Sequence, residues 1–209
     1  MAWDCATGNG QAARKLAKYF THVIATDASA AQIREAEGPR NVTFRAEPAE
    51  ASTLEAGSVD LATVAQAYHW LDHPRFVQEI RRVMRPGGML AIWAYQLATV
   101  STAVDEVVLR IYEDPLGPYW PPERRLVESG YRELQFPWPE LSAPPFIMEA
   151  QWSFDAFAGY LKTWSACIRY RNATGIDAVA DAEDELRAAW GETGEQTVSW
   201  PLIFRAFRV

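Results

Sequence analysis

The sequence predicts an α/β protein with an open, doubly wound sheet of mostly parallel strands. Segments with strand-like and helix-like spacing alternate through the first 96 residues. The runs Val59–Ala65 (VDLATVA) and Met89–Tyr95 (MLAIWAY) are almost continuously apolar, which is typical of strands buried on both faces. Helices between successive strands indicate parallel pairing, and together these observations favour the doubly wound class.

The stretch from Trp3 to Asp27 contains the first strand, turn and helix of this pattern. A short apolar lead into Asp4 precedes the turn Ala6–Gly10, and Gln11–Phe20 has helical spacing. Glycines in such a turn allow positive φ and a close approach of the backbone to a ligand. The following helix directs its free N–H groups at the same place.

A second strand, His22–Thr26, ends at Asp27, seventeen positions after Gly10. A carboxylate there is placed to accept hydrogen bonds from a ribose diol. We therefore expect a nucleoside-containing cofactor across the C-terminal ends of two neighbouring parallel strands. The segment Gly8–Ala13 also satisfies the dinucleotide fingerprint G-x-G-x-x-A, so a nicotinamide cofactor is a competing interpretation.

Further elements follow from periodicity and from glycine and proline positions. In the first half we expect a helix over Ala30–Glu37 with a cap at Ser29, a strand over Asn41–Ala46, and a helix from Pro74 that ends at Pro86-Gly87-Gly88. In the second half we expect a helix over 101–114, a proline-rich loop Asp114–Pro122, extended segments near Tyr131–Phe136 and Phe146–Trp152, a helix capped by Ser153, a helix over Asp177–Trp190, and a last strand over Gln196–Val209.

The start of the sequence leaves little room for the first strand. Met1 is only three residues ahead of Asp4, whereas strands average five or six residues. Either this strand is unusually short or the natural protein has a segment before it. We expect the edge around Asp4 to be mobile or uncovered.

Composition restricts the classes of partner. The 209 residues have a net charge of -7, which argues against a nucleic-acid partner because such proteins present a basic surface. Neither a membrane span nor a leader is predicted, and two cysteines suit reduced thiols in the cytoplasm. His22, His69 and His73 with Cys5 and Cys167 do not make a convincing metal site.

Several segments together carry a family resemblance: WDCATGNG, Asp27 after a second strand, VDLATVAQAYHWLD, EIRRVMRPGGMLAIW, TWSA and the late WPL. They resemble class I S-adenosylmethionine-dependent methyltransferases of the methyltransferase type 11 kind, and are similar to the branch with trans-aconitate methyltransferases. The resemblance implies a Rossmann-like seven-stranded sheet with an antiparallel C-terminal strand and helices on both faces. It also implies a cofactor-binding half (1–96), a helical, irregular substrate-side insertion with the sixth strand (97–195) and a final strand (196–209).

Two departures from the family pattern stand out. Ala6 takes the place of a third glycine in the turn, which narrows the space near the cofactor by one methyl group. Pro48 replaces an acidic residue that is common in the wider superfamily, so a contact with the adenine amino group falls to Glu50 or to backbone.

The resemblance also implies site residues. The cofactor-binding set is Asp4, Ala6, Gly8, Gly10, Asp27, Ala28, Ala49, Glu50, Gln66 and Ala67. The acceptor-side set is Trp70, Tyr119, Trp120 and Trp164, although aromatic residues at helical spacing also suit a core. His69 is the candidate general base, with a histidine that only packs beneath its loop as the alternative.

The expected reaction is in-line methyl transfer from S-adenosylmethionine to a small molecule by a monomer or homodimer. A carboxylate acceptor needs no general base, which favours O-methylation of a carboxylic acid. Guanidinium groups bind carboxylates in a bidentate manner. The candidates in the second half are Arg110, Arg124, Arg125, Arg132, Arg169 and Arg171. The alternatives are a nicotinamide oxidoreductase using the same crevice and a cofactor-binding protein without turnover.

Overall fold

The computed structural model describes residues 1–192 and 194–209. The chain divides into two compact units. The first unit contains Met1–Tyr95, Ser129–Pro145 and Ile203–Val209, and the second contains Gln96–Glu128 and Phe146–Leu202.

Eight strands are present in the described residues. They are β1 (Ala2–Cys5), β2 (Val23–Asp27), β3 (Val42–Ala46), β4 (Val59–Ala65), β5 (Met84–Tyr95), β6 (Glu140–Leu141), β7 (Phe146–Ser153) and β8 (Glu195–Arg208). Their order is β3-β2-β1-β4-β5-β8-β6, and β7 also pairs with β8. The first five strands are mutually parallel, whereas β6 and β7 run antiparallel to β8. The predicted fold class is confirmed, with eight strands instead of seven.

The helices are α1 (Gln11–Leu16), α2 (Ala30–Arg34), α3 (His73–Val83), α4 (Thr102–Glu113), α5 (Arg124–Glu128), α6 (Phe154–Lys162), α7 (Ser165–Thr174), α8 (Ala178–Asp181) and α9 (Glu183–Trp190). Side-chain caps begin several of them, as the sequence predicts. Ser29 accepts a hydrogen bond from Gln32 N, and Ser153 accepts one from Ala156 N. Each cap satisfies a backbone donor that the first turn leaves unpaired. Helix α1 ends at Leu16, four residues before its predicted end.

Strand β1 lies inside the sheet, between β2 and β4. Ala2, Trp3, Asp4 and Cys5 are all fully buried, and the Trp3 indole N–H donates to Thr26 Oγ1 at 3.0 Å. The expectation of an uncovered edge at Asp4 is therefore wrong. Although β1 is short, its pairing with β2 on one side and β4 on the other buries all four of its residues.

Helix α3 ends before the predicted Pro86-Gly87-Gly88 stop. Its last residue is Val83, and Met84 already has extended backbone (φ -73, ψ 139). A proline disfavours helical geometry in the residue before it, so a helix cannot run comfortably up to Pro86. The RPGG segment lies within β5 as an irregularity opposite Asp60, where Arg85 forms an ion pair with the Asp60 carboxylate at 2.6 Å.

The extended segment predicted near Tyr131–Phe136 contains no strand. Gly130 and Tyr131 both have left-handed backbone, with φ of 67 and 56. The carbonyls of Tyr131 and Leu134 accept hydrogen bonds from Arg205 Nη1 at 2.7 and 3.1 Å. A guanidinium thus takes the place of a neighbouring strand as the backbone's partner.

The single helix predicted over Asp177–Trp190 is two helices, α8 and α9. Asp177 caps the first by accepting from the N–H groups of Val179 and Ala180. Ala182 then leaves helical geometry (φ -99, ψ 8), and three acidic residues form the first turn of α9. Acidic side chains favour a helix N-terminus, which accounts for a new start at this point. Helix α7 was not predicted, because it has little apolar periodicity.

Candidate functional site

The ends of three neighbouring strands place the candidate cofactor residues along one edge of the sheet. Cys5, the last residue of β1, is in register with Thr26 of β2 and with Val64 of β4. The turn after Cys5, Asp27 after Thr26, and Gln66 shortly after Val64 therefore emerge at the same edge. In parallel sheets this carboxyl edge is where ligands bind.

The turn after β1 has three residues in left-handed backbone: Ala6, Gly8 and Gly10, with φ of 50, 57 and 87. A methyl group on Gly10 would lie 2.6 Å from the Phe44 ring, so packing requires glycine there. On Gly8 the nearest atom would be Gln32 Oε1 at 3.8 Å. The protein thus leaves open space beside Gly8, where a ligand can approach the backbone.

Asp4 is a fully buried carboxylate that holds this turn. Its Oδ2 accepts from Thr7 Oγ1 at 2.5 Å, and its Oδ1 accepts from Thr63 Oγ1 at 2.7 Å. Burial raises the pKa of Asp4, and the hydrogen bonds from Thr7 and Thr63 offset part of that increase. Asp4, which belongs to β1, therefore links the turn at Thr7 to strand β4 at Thr63.

Asp27 fastens the turn from the opposite side. Its Oδ2 accepts from the Gly8 backbone N–H at 2.9 Å, and its Oδ1 accepts from Ser29 N at 2.8 Å. Each carboxylate oxygen has a second lone pair and can accept from one further donor. Ala28, the next residue, is exposed.

Gln66 and Ala67 begin the loop after β4. Gln66 has left-handed backbone (φ 55), and its side-chain oxygen accepts from Tyr95 N at 2.7 Å. The Gln66 N–H donates to the Trp93 carbonyl at 2.8 Å. Gln66, the first residue of the loop, thus anchors the loop to β5. The next residue, Ala67, is buried.

Ala49 and Glu50 lie in the loop between β3 and β4. Ala49 is buried, and Glu50 Oε1 accepts from the backbone N–H of Asp72 at 2.9 Å. Asp72 is also the cap of α3, where its side chain accepts from Arg75 N. Glu50 therefore joins the loop after β3 to the start of α3.

His69 and Trp70 form most of a short 3-10 helix over Tyr68–Trp70. The His69 side chain is only 8% exposed, and its Nδ1 lies 2.9 Å from the Tyr131 hydroxyl. Trp70 is 55% exposed, with its ring 4.8 Å from the imidazole. Tyr131 was missed by sequence reasoning, since a separation of 62 residues gives no local signal of this contact.

The remaining acceptor-side candidates lie in the second unit. Trp120 and Trp164 have ring centres 5.5 Å apart, and Tyr112 contacts both at 4.4 and 5.8 Å. Tyr119 instead packs edge-on against Tyr170 at 5.2 Å. The structure thus brings Trp120 and Trp164 together in one aromatic cluster and places Tyr119 in another contact.

Comparison with known proteins identifies the family. Residues 3–92 match the family described as a methyltransferase domain. A Dictyostelium discoideum protein named as a methyltransferase is 34% identical over 196 residues, which are 92% of this chain and 74% of that protein. A solved structure of an Anaeromyxobacter dehalogenans protein named as a type II methyltransferase is 50% identical, with a TM-score of 0.92 over 99% of this chain and 88% of that one.

The chain belongs to the class I S-adenosylmethionine-dependent methyltransferases. The fingerprint Gly8–Ala13 is therefore part of a methyltransferase turn. Family membership favours methyl transfer over hydride transfer from a nicotinamide cofactor. The methyltransferase also shares its fold with an Anabaena variabilis protein from an antibiotic biosynthesis pathway, which is 18% identical with a TM-score of 0.62.

Metal sites and membrane-spanning helices are both absent from the described residues of the methyltransferase. Among the residues that the structure describes, no group of three or more His, Cys, Asp or Glu is placed to hold a metal ion. Over the same residues, every helix is too short or too polar to cross a membrane.

Proposed function

We propose that this chain binds S-adenosylmethionine at the carboxyl edge of β1, β2 and β4 and transfers its methyl group to a small molecule. The observation that supports this most directly is the hydrogen bond of 2.9 Å between Asp27 and the backbone of Gly8. It joins the acidic residue expected at the ribose to the turn expected at the amino-acid end. One carboxylate thus positions both parts of the site.

S-adenosylmethionine supplies, when bound, a methyl group already activated on a sulfonium. The chain's residues then have mainly to hold the acceptor in line and exclude water. Asp4 orients the turn, Gly8 leaves room for the ligand, and Asp27 accepts from the ribose diol. Ala6, Gly10, Ala28, Ala49, Glu50, Gln66 and Ala67 complete the proposed contact set.

The proposed acceptor is a carboxylic acid. A carboxylate is ionised at neutral pH and is a nucleophile without help from a base. A phenol or an amine acceptor would benefit from a general base. His69, the candidate base, is buried against Tyr131 and its Nδ1 is engaged. This arrangement favours the acceptor that does not need proton removal.

We further propose that residues 97–195 supply the acceptor side of the enzyme, with contacts from Trp120 and Trp164, and that Trp70 contributes from the first unit. The net charge of -7 favours a small-molecule partner over a nucleic acid. Two free cysteines suit a reducing compartment such as the cytoplasm.

Cofactor binding is tested by titrating the purified chain with S-adenosylhomocysteine in a calorimeter. We expect saturable binding that Asp27→Ala weakens by about tenfold or more, since two hydroxyl contacts to a charged group are lost. Asp105→Ala, which changes a carboxylate of the second unit, is the matched control. Binding of NAD with none of S-adenosylhomocysteine would overturn the proposal.

Turnover is tested with methyl-labelled S-adenosylmethionine and a panel of carboxylic acids, phenols and amines. We expect label in base-labile methyl esters from the acids. Label only in phenol ethers or amines would overturn the carboxylate acceptor. Cofactor binding without label transfer to any member of the panel would favour the interpretation of a binding protein without turnover.

A further inference from the structure

Arg124 differs from the other five arginines considered for carboxylate binding. Its side chain is only 18% exposed, whereas Arg110 and Arg171 are 52% and 54% exposed and pair with Glu185 and Asp177. Arg125, Arg132 and Arg169 are exposed as well. Burying a guanidinium costs free energy unless the charge is paired. The groups that surround Arg124 must therefore compensate for this cost.

Aromatic rings and one hydroxyl account for part of the Arg124 surface. Its guanidinium carbon lies 5.2 Å from the centre of the Trp120 ring and 5.7 Å from that of Tyr112. Its Nε donates to the Tyr112 hydroxyl at 3.0 Å. The same hydroxyl donates to Glu128, so burial and this hydrogen bond raise the pKa of Tyr112 to about 12. Tyr112 therefore stays a neutral phenol that fixes the guanidinium on its Nε side.

The Nη1 and Nη2 nitrogens, on the other edge of the Arg124 guanidinium, have no hydrogen-bond partner among the described residues. Among the described residues, neither Nη1 nor Nη2 makes a hydrogen bond or an ion pair; the contact with Glu128, at 3.9 Å, is made through Nε. These two nitrogens form a planar fork that matches a carboxylate in a bidentate manner. A preorganised cation therefore has its recognition edge free.

Arg124 lines a cavity of 370 Å³ within the second unit. Its other walls are largely apolar and include Leu97, Val127 and Pro201, next to the Tyr112 ring. Small-molecule sites are typically apolar cavities of 300 to about 1,000 Å³ with few fixed polar groups. Glu128 is the one acidic residue in this lining, and its charge is partly countered by the Tyr112 hydroxyl and Arg124.

We propose that this cavity is a binding site for a small carboxylic acid with a flat apolar body. The carboxylate binds the Nη fork of Arg124, and the body lies against Tyr112 and the apolar wall. Trp120 and Tyr112 hold the guanidinium plane, and Arg124 and Tyr112 are the residues that determine specificity. This inference concerns binding alone and does not depend on methyl transfer.

The test uses the fluorescence of the full chain without cofactor, since Trp120 stacks on Arg124. Phenylacetate and indole-3-acetate are titrated against their carboxamides, which keep shape and lose charge. We expect saturable quenching by the acids and affinity about tenfold or more lower for the amides. Equal binding of acid and amide, or no saturable change with either acid, would overturn the proposal.

Variants locate the site. Arg124→Gln is expected to weaken phenylacetate binding to the level of the amide. Arg124→Lys is expected to recover only part of the lost affinity, because lysine keeps the positive charge but lacks the two-nitrogen fork. Arg125→Gln, an exposed neighbour, is the matched control and is expected to bind as the parent does. Circular dichroism verifies the fold of each variant. Unchanged binding by a folded Arg124→Gln would overturn the assignment.

Discussion

The two units stabilise their loops by different means. In the first, buried or half-buried carboxylates accept hydrogen bonds from backbone and hydroxyl groups, as Asp4, Asp27 and Glu79 do. In the second, aromatic rings join the segments, as around Trp120 in a loop and around Trp200 in strand β8. Asp4, Asp27 and the turn glycines lie at strand ends and in a turn that the sequence displays, whereas the ring contacts of the second unit leave no such local pattern. The difference also predicts which substitutions are costly in each unit.

The largest expected effect tests the aromatic unit. Trp200 is 2% exposed, lies 4.9 Å from the Trp152 ring, and donates to the Tyr160 hydroxyl at 3.1 Å. Trp200→Ala should lower the free energy of unfolding by about 3–5 kcal/mol, because it removes a buried ring and leaves a cavity. Urea denaturation measures this change in the free energy of unfolding. Trp70→Ala, at a residue 55% exposed in the first unit, is the control, with an expected change of about 0.5 kcal/mol or less.

The second prediction separates packing from conformation in the first unit. Gly10→Ala should cost about 2–4 kcal/mol, because a methyl group meets Phe44 and φ is positive. Gly8→Ala shares only the conformational part, about 1–2 kcal/mol. Thermal denaturation of both variants gives the difference. Equal losses would mean that the Phe44 ring moves aside freely.

A pH titration tests the carboxylate contacts. Burial disfavours ionised Glu79, but hydrogen bonds from Arg82 and Ser52 outweigh it and lower the pKa. A lowered folded-state pKa contributes stability above the unfolded pKa, and this stability is lost as pH falls through the folded value. Glu79→Gln should therefore cost about 2 kcal/mol at neutral pH. Denaturation curves from pH 7 to 3 should show the two proteins converging; a constant difference would contradict the electrostatic explanation.

The smallest effect is a gain. Ala6 has φ of 50, a conformation that costs a residue with a Cβ about 1–2 kcal/mol. Glycine removes that strain at an entropic cost of about 0.5–1 kcal/mol. Ala6→Gly should therefore raise stability by roughly 0.5–1 kcal/mol, measured by denaturant unfolding. A loss would indicate that the Ala6 methyl group packs favourably in the turn.

Much of the first unit follows from local sequence. The run Val59–Ala65 is a strand with the bounds that its apolar pattern predicts, and β3 begins one residue later than predicted. Asp27 and the Gly8 turn come from spacing alone, because strand, turn and helix are short-range features. The membership of the family was also predicted correctly, whereas similarity to the trans-aconitate branch stays a prediction.

The remaining contacts could not be predicted because they join distant segments. Phe44 lies beneath Gly10, and Tyr131 contacts His69 while Arg205 donates to the Tyr131 carbonyl. The loop around Tyr131 has the apolar content of a strand, so periodicity misassigned it. Ala6 was recognised as a departure from the family pattern, but its positive φ is a backbone property that composition does not reveal.

The two free cysteines give each unit an internal reporter. Cys5 lies in β1 of the first unit and Cys167 in α7 of the second, and burial raises the pKa of both thiols, that of Cys167 to about 11. A thiol reagent therefore reacts only after the surrounding structure opens. Labelling rates at the two positions, resolved by mass spectrometry, would time the local opening of each half of the protein independently, without any introduced probe.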